Sequence, residues 1–213
     1  MKPLLYAVSH FSLLRGVLSP DMICRTALEL GYSSVAIADR NNLYGLPEFL
    51  RCCEEHGLTP IVAAEMSGPD GTAVLYADGD AGFSNLCRII SQSHCDDSFN
   101  LVAAIRSDSR GIHAVTADTG LIWKLRDFCE VYFMMQRPRV PPQQVRKEGI
   151  PCLIAPMMAF TCDQDRQTHR MLRAIDINGT LSGLPRSELF DSAANYLSWK
   201  QLEEIFEVFD YAI

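Results

Sequence analysis

Between residues 4 and 66, short apolar segments alternate with amphipathic ones at a spacing that leaves the chain few ways to fold. Residues 4–8 read as a strand. Ser19-Pro20 reads as an N-cap followed by proline at the first helical position. Ile23, Ala27 and Leu30 then recur at helical spacing, and Gly31 stands where that helix would stop. Residues 34–38 form a second strand ending at Asp39, residues 46–56 a second helix closed by Gly57, and residues 60–66 a third strand ending in Glu65-Met66. The interval between strands is that of a βαβ unit, about thirty residues. Strand and helix units repeated in this way bury a sheet beneath helices, which predicts an α/β fold, barrel-like or layered.

The remainder extends the pattern less regularly. Pro69-Asp70-Gly71 is a turn signal. Strands are expected at 72–77, 101–105, 111–116, 130–135 and 150–155, and helices at 80–93, 120–126, 143–148 and 163–175. Thr161 or Asp163 is the expected cap of the helix at 163–175, and Asn178-Gly179 its end. Ser198 caps a final helix carrying Trp199, Leu202, Ile205, Phe206 and Phe209. No linker or internal repeat divides residues 1–213, so one domain is expected. With 48% hydrophobic residues the chain can bury a sizeable core. Its net charge of −7 argues against a free-standing nucleic-acid binder. No apolar run reaches the roughly 18 residues of a membrane span, and no signal-peptide pattern opens the sequence; a cytoplasmic location is expected.

The eight cysteines contain no Cys-x-x-Cys pair and mostly sit beside Ile, Leu or Val. They read as reduced thiols that pack as small hydrophobes, rather than as a zinc or disulfide framework. In α/β folds chemistry gathers at the C-terminal ends of the strands. The residues standing there are Ser9 and His10, Asp39 and Arg40, Glu65, Asp118, Gln136 and Arg137, and residues 156–159. Asp39, Glu65 and Asp118 are possible oxygen ligands for a cation. Hydrolytic zinc or manganese sites normally add several imidazoles. Of the five histidines, only His10 follows a strand. Arg137 and Arg139 read as a domain contact or a solvated loop in so acidic a chain.

Several of these runs resemble, in order, the PHP (polymerase and histidinol phosphatase) domain of bacterial DNA polymerase III α subunits. Ser9-His10-Phe11-Ser12-Leu13-Leu14-Arg15-Gly16 is similar to the first motif, close to His-x-His-Ser-x-Tyr-Ser-Leu-Leu-Asp-Gly. Ala38-Asp39-Arg40-Asn41-Asn42-Leu43-Tyr44-Gly45 resembles Thr-Asp-His-Gly-Asn-Leu-Tyr-Gly, and Pro60-Ile61-Val62-Ala63-Ala64-Glu65 resembles Pro-Ile-x-Gly-x-Glu. Leu75-Tyr76-Ala77 with Gly82-Phe83-Ser84-Asn85-Leu86, the segment from His169 to Ile175, Thr180-Leu181 and Tyr196-Leu197 continue the likeness. The resemblance implies a distorted (βα)₇ barrel of TIM-like type, standing at the N-terminus of a longer polymerase.

The departures from that family fall on its metal ligands. Tyr6 and Val8 align with the paired histidines of the first motif, Arg40 with the histidine after the aspartate, and Thr72 with a later histidine. Met157 and Ala159 fall within the late Asn-Asp-x-His motif, and Asp118 near a cysteine ligand. Only Asp39 and Glu65 persist, with Asp118 a substitute. The implied site is therefore vestigial: no cofactor is expected, and any residual metal would rest on Asp39, Glu65 and Asp118. Arg40 is expected to pair with Asp39 or Glu65, and its removal to be costly if it leaves a buried carboxylate unpaired. His10 reads as a loop histidine. The implied role is structural, with the polymerase's other domains and a proofreading subunit as partners and DNA reached only through the parent protein. Two rival readings stay open. One is an active phosphoesterase or 3′–5′ exonuclease using zinc, manganese or iron, with His10 assisting. The other is a free-standing regulatory module that binds a protein partner.

Overall fold

The computed structural model describes residues 2–191 and 194–207. Its strands are β1 (Pro3–Ala7), β2 (Ser34–Arg40), β3 (Thr59–Gly68), β4 (Gly71–Ala77), β5 (Ile112–Thr116), β6 (Glu130–Met135) and β7 (Cys152–Ile154). The helices are α1 (Pro20–Glu29), α2 (Leu46–His56), α3 (Gly79–Cys95), α4 (Leu101–Ser107), α5 (Thr119–Leu125), α6 (Gln143–Lys147), α7 (Asp163–Asp176) and α8 (Trp199–Glu207). A 3₁₀ turn spans Arg186–Glu188.

The strands form one sheet in the order β1-β2-β3-β4-β5-β6-β7. All neighbours are parallel except at β4, which runs antiparallel to both β3 and β5. The sheet curls until the segment after β7 returns to β1: Val8 N–H donates to Met158 O at 3.2 Å, and Met158 N–H to Tyr6 O at 2.8 Å. The result is an α/β half-barrel of TIM-like type, distorted because β3 and β4 form a hairpin with no helix between them.

Alternation along the strands divides the apolar residues into two clusters. One joins Leu4, Val35, Ile37, Leu75 and Phe133 to the helical residues Ile23, Phe49, Leu86, Ile89 and Leu121, so it lies between sheet and helices. The other holds Tyr6, Val8, Ala36, Ala38, Ala63, Val74, Tyr76, Val115 and Met134. It includes none of the described helix residues and fills the concave side. Small alanines from β2 and β3 there leave space for the larger Tyr6, Tyr76 and Met134.

Most elements stand where the sequence places them. Ser19 caps α1 by accepting from Met22 N–H, with Pro20 at the first helical position, and Gly57 ends α2 in the left-handed conformation. Residues 101–105 are the main correction: they belong to helix α4, not a strand. Asn100 caps this helix by accepting from Ala103 N–H, and the Asp70 carboxylate accepts from Leu101 N–H at 3.0 Å and Val102 N–H at 2.9 Å. One adjacent side chain and one from the β3–β4 turn thus satisfy three of the donors a helix start leaves open. The N-cap of α7 is Cys162, not Thr161 or Asp163; the Asp165 carboxylate reaches back to Thr161 and Cys162 N–H. All eight cysteines are free thiols, with Cys24, Cys52 and Cys53 buried and Cys95 and Cys162 exposed. Phe209 lies outside the described residues.

Candidate functional site

β2 and β3 each carry one carboxylate near the C-terminal end, Asp39 opposite Ala64 and Glu65 opposite Arg40 in the strand pairing, and the two serve different neighbours. Asp39 is buried, and it holds the loop after β1. Its carboxylate accepts from Ser9 N–H at 2.9 Å, Ser9 Oγ at 2.5 Å and Ser12 Oγ at 2.7 Å. Burial pushes its pKa above the usual carboxylate range, and the two serine hydroxyls and the Ser9 amide pull it back only in part. Ser12 Oγ also accepts from Arg40 N–H at 3.0 Å, tying β2 to the same loop.

Glu65 is held from two sides. Tyr6 Oη donates to one carboxylate oxygen, and Arg40 Nε lies 3.8 Å from the other. Burial, with Glu65 beside it, raises the Tyr6 phenol pKa well above its ordinary value. Tyr6 therefore stays protonated and donates a hydrogen bond without adding charge. Of the two expected partners for Arg40, the structure brings Glu65 and not Asp39. A second Arg40 nitrogen donates to Ser67 Oγ at 3.1 Å.

The other candidates are dispersed. Val8 and Ala159 are buried among apolar side chains, and Met157 packs against that cluster. His10 is exposed, its ring edge-on to Phe11. Thr72 bonds Ser67 Oγ at 3.0 Å. Asp118 is the N-cap of α5, accepting from Gly120 N–H at 2.8 Å and Leu121 N–H at 3.2 Å. It shares a cavity of about 430 Å³ with Tyr6 and Thr72, but it does not join Asp39. Arg137 pairs with Asp191, and Arg139 lies over the Phe133 ring at 5.0 Å.

Residues 6–122 match the family model for the PHP domain. The chain belongs to the PHP domain family. An error-prone DNA polymerase of Anaeromyxobacter sp. (strain K) is 31% identical over 140 residues, which cover 56% of this chain and 12% of that polymerase. The DNA polymerase III subunit alpha of Ureaplasma parvum serovar 3 is 38% identical over 80 residues, covering 38% of this chain and 8% of that subunit. The match thus spans about a tenth of these relatives' length. Among solved structures, a two-domain protein from Bacteroides vulgatus containing a predicted PHP-like metal-dependent phosphoesterase superposes with a TM-score of 0.57 at 10% identity. That superposition covers 80% of this chain and 55% of the other, and it bears on the fold alone.

For a PHP domain, the donor set found here does not fit a hydrolytic metal centre. Where the resemblance would set imidazole and oxygen ligands, this chain has Tyr6, Val8, Arg40, Met157 and Ala159, which are not the side chains such centres use. Asp39 and Glu65 are already engaged by protein donors. Among the described residues, no three His, Cys, Asp or Glu side chains come together where they could hold a metal ion.

Sequence reasoning missed Arg15, Arg173 and His169 as members of this region. His169 is buried; its Nδ1 donates to Arg15 O at 2.6 Å and its Nε2 accepts from Phe190 N–H at 3.1 Å. Those roles fix one neutral tautomer, and burial lowers the imidazole pKa accordingly. A signal for Arg15 was present, since it stands where the resembled motif carries aspartate before glycine.

Tyr6 should hold Glu65 more strongly than Arg40 does. The arginine side chain is 36% exposed against 11% for the carboxylate, so solvent screens their pair. Arg40→Ala should cost less than about 1 kcal/mol. Tyr6→Phe should cost about 1.5–3 kcal/mol, because it removes a buried bond to a charged acceptor. This reverses the expected cost of losing Arg40: Glu65 keeps a donor without it. Urea unfolding of both variants measures the order, and a larger loss for Arg40→Ala would make the arginine the main partner.

Proposed function

We propose that this chain is the PHP domain of a DNA polymerase III α-type polymerase of the error-prone kind. In that protein it serves as a metal-free, non-hydrolytic structural domain. The relatives' names and the family match support the parentage. The observation that carries the metal-free reading is the engagement of both persisting carboxylates, Asp39 by Ser9 and Ser12 and Glu65 by Tyr6 and Arg40. A carboxylate whose lone pairs are shared with buried protein donors offers fewer of them to a cation, and one that turns to bind it leaves those donors unsatisfied.

Residues 1–213 then form one domain at the N-terminal end of a longer protein. Its partners are the remaining polymerase domains, with a proofreading subunit a further candidate, and DNA is engaged through the parent protein. The described residues contain no helix long and apolar enough to cross a membrane. A cytoplasmic location follows from the proposed parentage.

Purified protein equilibrated with zinc, manganese or iron and then desalted should retain each metal only well below one ion per chain. It should show no phosphomonoesterase or 3′–5′ exonuclease activity above that of a Glu65→Ala variant. Stoichiometric retention, with an activity abolished by Glu65→Ala, would replace this reading with that of a metal-dependent phosphoesterase.

A further inference from the structure

We propose that the cleft between Arg15, Arg40 and the Arg186–Glu188 turn binds a phosphate-class oxyanion, either free or as a terminal phosphate on a nucleotide or nucleic-acid strand. The cleft has a volume of about 490 Å³, and Arg15, Arg40, Arg173 and Ser187 line it beside Asp176 and Glu188. Its carboxylates are already matched. Arg173 pairs with both Asp176 and Glu188, while Glu65, behind Arg40, is held by Tyr6 and Arg40.

Arg15 is left without a carboxylate, and its guanidinium carbon lies over the Phe190 ring, 5.4 Å from the centroid. Its Nε is buried and has no hydrogen-bond partner among the described residues, and no described carboxylate lies within ion-pair distance of it. A guanidinium offers five N–H donors in a rigid fork and cannot be neutralised by losing its proton at physiological pH. A buried polar group of this kind is normally satisfied, so one without a partner implies a ligand or solvent that supplies an acceptor. Burial, then the like charges of Arg40 and Arg173, disfavour its charged form, and a bound anion would relieve both.

Two further features fix the loop that carries Arg15. Leu14, next to it, has φ 57°, a left-handed backbone rare for leucine. Asp39 clamps the same loop through Ser9 and Ser12. Asp39 is therefore a positioning residue for Arg15. Donors arrive from three elements: the loop after β1, the end of β2, and the hydroxyl of Ser187. That spread suits a tetrahedral oxyanion better than a planar carboxylate, which a single guanidinium fork would satisfy.

The inference is separable from the metal-free reading, and the test keeps them apart. The 213-residue chain would be titrated with inorganic phosphate by calorimetry in excess EDTA at constant ionic strength, with chloride as the control anion. Saturable binding is expected, weakened at least tenfold by Arg15→Gln and several-fold by Arg40→Gln, and unchanged by Arg51→Gln on the far helix α2. Each variant's unfolding midpoint in chloride would show that it is folded. Absence of saturable binding, or binding that Arg15→Gln leaves intact, would overturn the site. Phosphate binding that appears only without EDTA would assign the anion to a metal, overturning this site and the metal-free reading together. A 3′- or 5′-phosphorylated oligonucleotide binding more tightly than inorganic phosphate, and losing that advantage on dephosphorylation, would identify a strand end as the source. Equal or weaker binding would identify the free ion.

Discussion

Replacing Asp39 with alanine should destabilise the protein by about 3–5 kcal/mol, because three buried donors lose their common acceptor. The carboxylate is buried, and three donors converge on it: Ser9 N–H, Ser9 Oγ and Ser12 Oγ. Alanine leaves the amide and both hydroxyls in a dry site without an acceptor. Each unsatisfied group costs about 1–3 kcal/mol, less whatever the loop recovers by rearranging. Asp39→Asn keeps one carbonyl oxygen as acceptor but brings an unwanted N–H₂ among donors, so it should fall between wild type and alanine. Urea unfolding in EDTA measures the series. A loss for Asp39→Ala under 1 kcal/mol in EDTA, growing only when metal is supplied to the wild type, would mean that Asp39 serves a cation rather than the loop. Because that loop ends at Arg15, the same variant should weaken phosphate binding even where Arg15 and Arg40 are untouched.

Asp39 and Glu65 were legible in the sequence because position alone marks them: each is a carboxylate at the end of an apolar strand. Their partners were not. Tyr6 reaches Glu65 across 59 residues, and Ser9 reaches Asp39 across 30. No period or local spacing encodes such contacts; they exist only once β1, β2 and β3 are laid in register. Arg40 could be anticipated because it follows Asp39 directly and stands, like Glu65, at the C-terminal end of an apolar strand. Arg15 and Arg173 meet from opposite ends of the chain, so their shared cleft is a product of the sheet's closure onto β1.

The fold shows the same division. Alternating units up to Met66 have sequence signals for start, period and stop, and the structure follows them. Residues 101–105 are five apolar or small residues, too few to separate a strand from one turn of helix by periodicity. What decides for helix is Asn100 beside them and Asp70 some thirty positions earlier, and only the first of these lies within local view. The antiparallel direction of β4 was equally hidden. Pro69-Asp70-Gly71 signals a turn, but whether it forms a hairpin depends on β3 running on to Gly68.

Gly16→Ala should be among the most damaging single-methyl changes in the chain, at about 3 kcal/mol or more, the upper part of the range for overpacking. A Cβ at position 16 would lie 1.7 Å from the Ser9 carbonyl oxygen and 2.5 Å from its carbon. These are backbone atoms, so no side-chain rotation relieves the clash. Nor can the backbone yield cheaply. Ser9 N–H is bonded to Asp39, His10 N–H to Leu18 O at 2.8 Å, and Gly16 N–H to Ser12 O at 2.8 Å. Gly31→Ala makes the matched control. Gly31 has φ +85°, and a Cβ there meets nothing within 4 Å. Its cost should be only the left-handed strain, about 1–2 kcal/mol. At about 2–4 °C per kcal/mol for a chain of this size, the two variants should separate by several degrees in thermal unfolding. Gly16→Ala should also weaken phosphate binding, because any shift that admits the methyl moves the Ser9–Gly16 loop and Arg15 with it. If Gly16→Ala melts no lower than Gly31→Ala, the loop is looser than its hydrogen bonds imply, and the rigid placement of Arg15 fails with it.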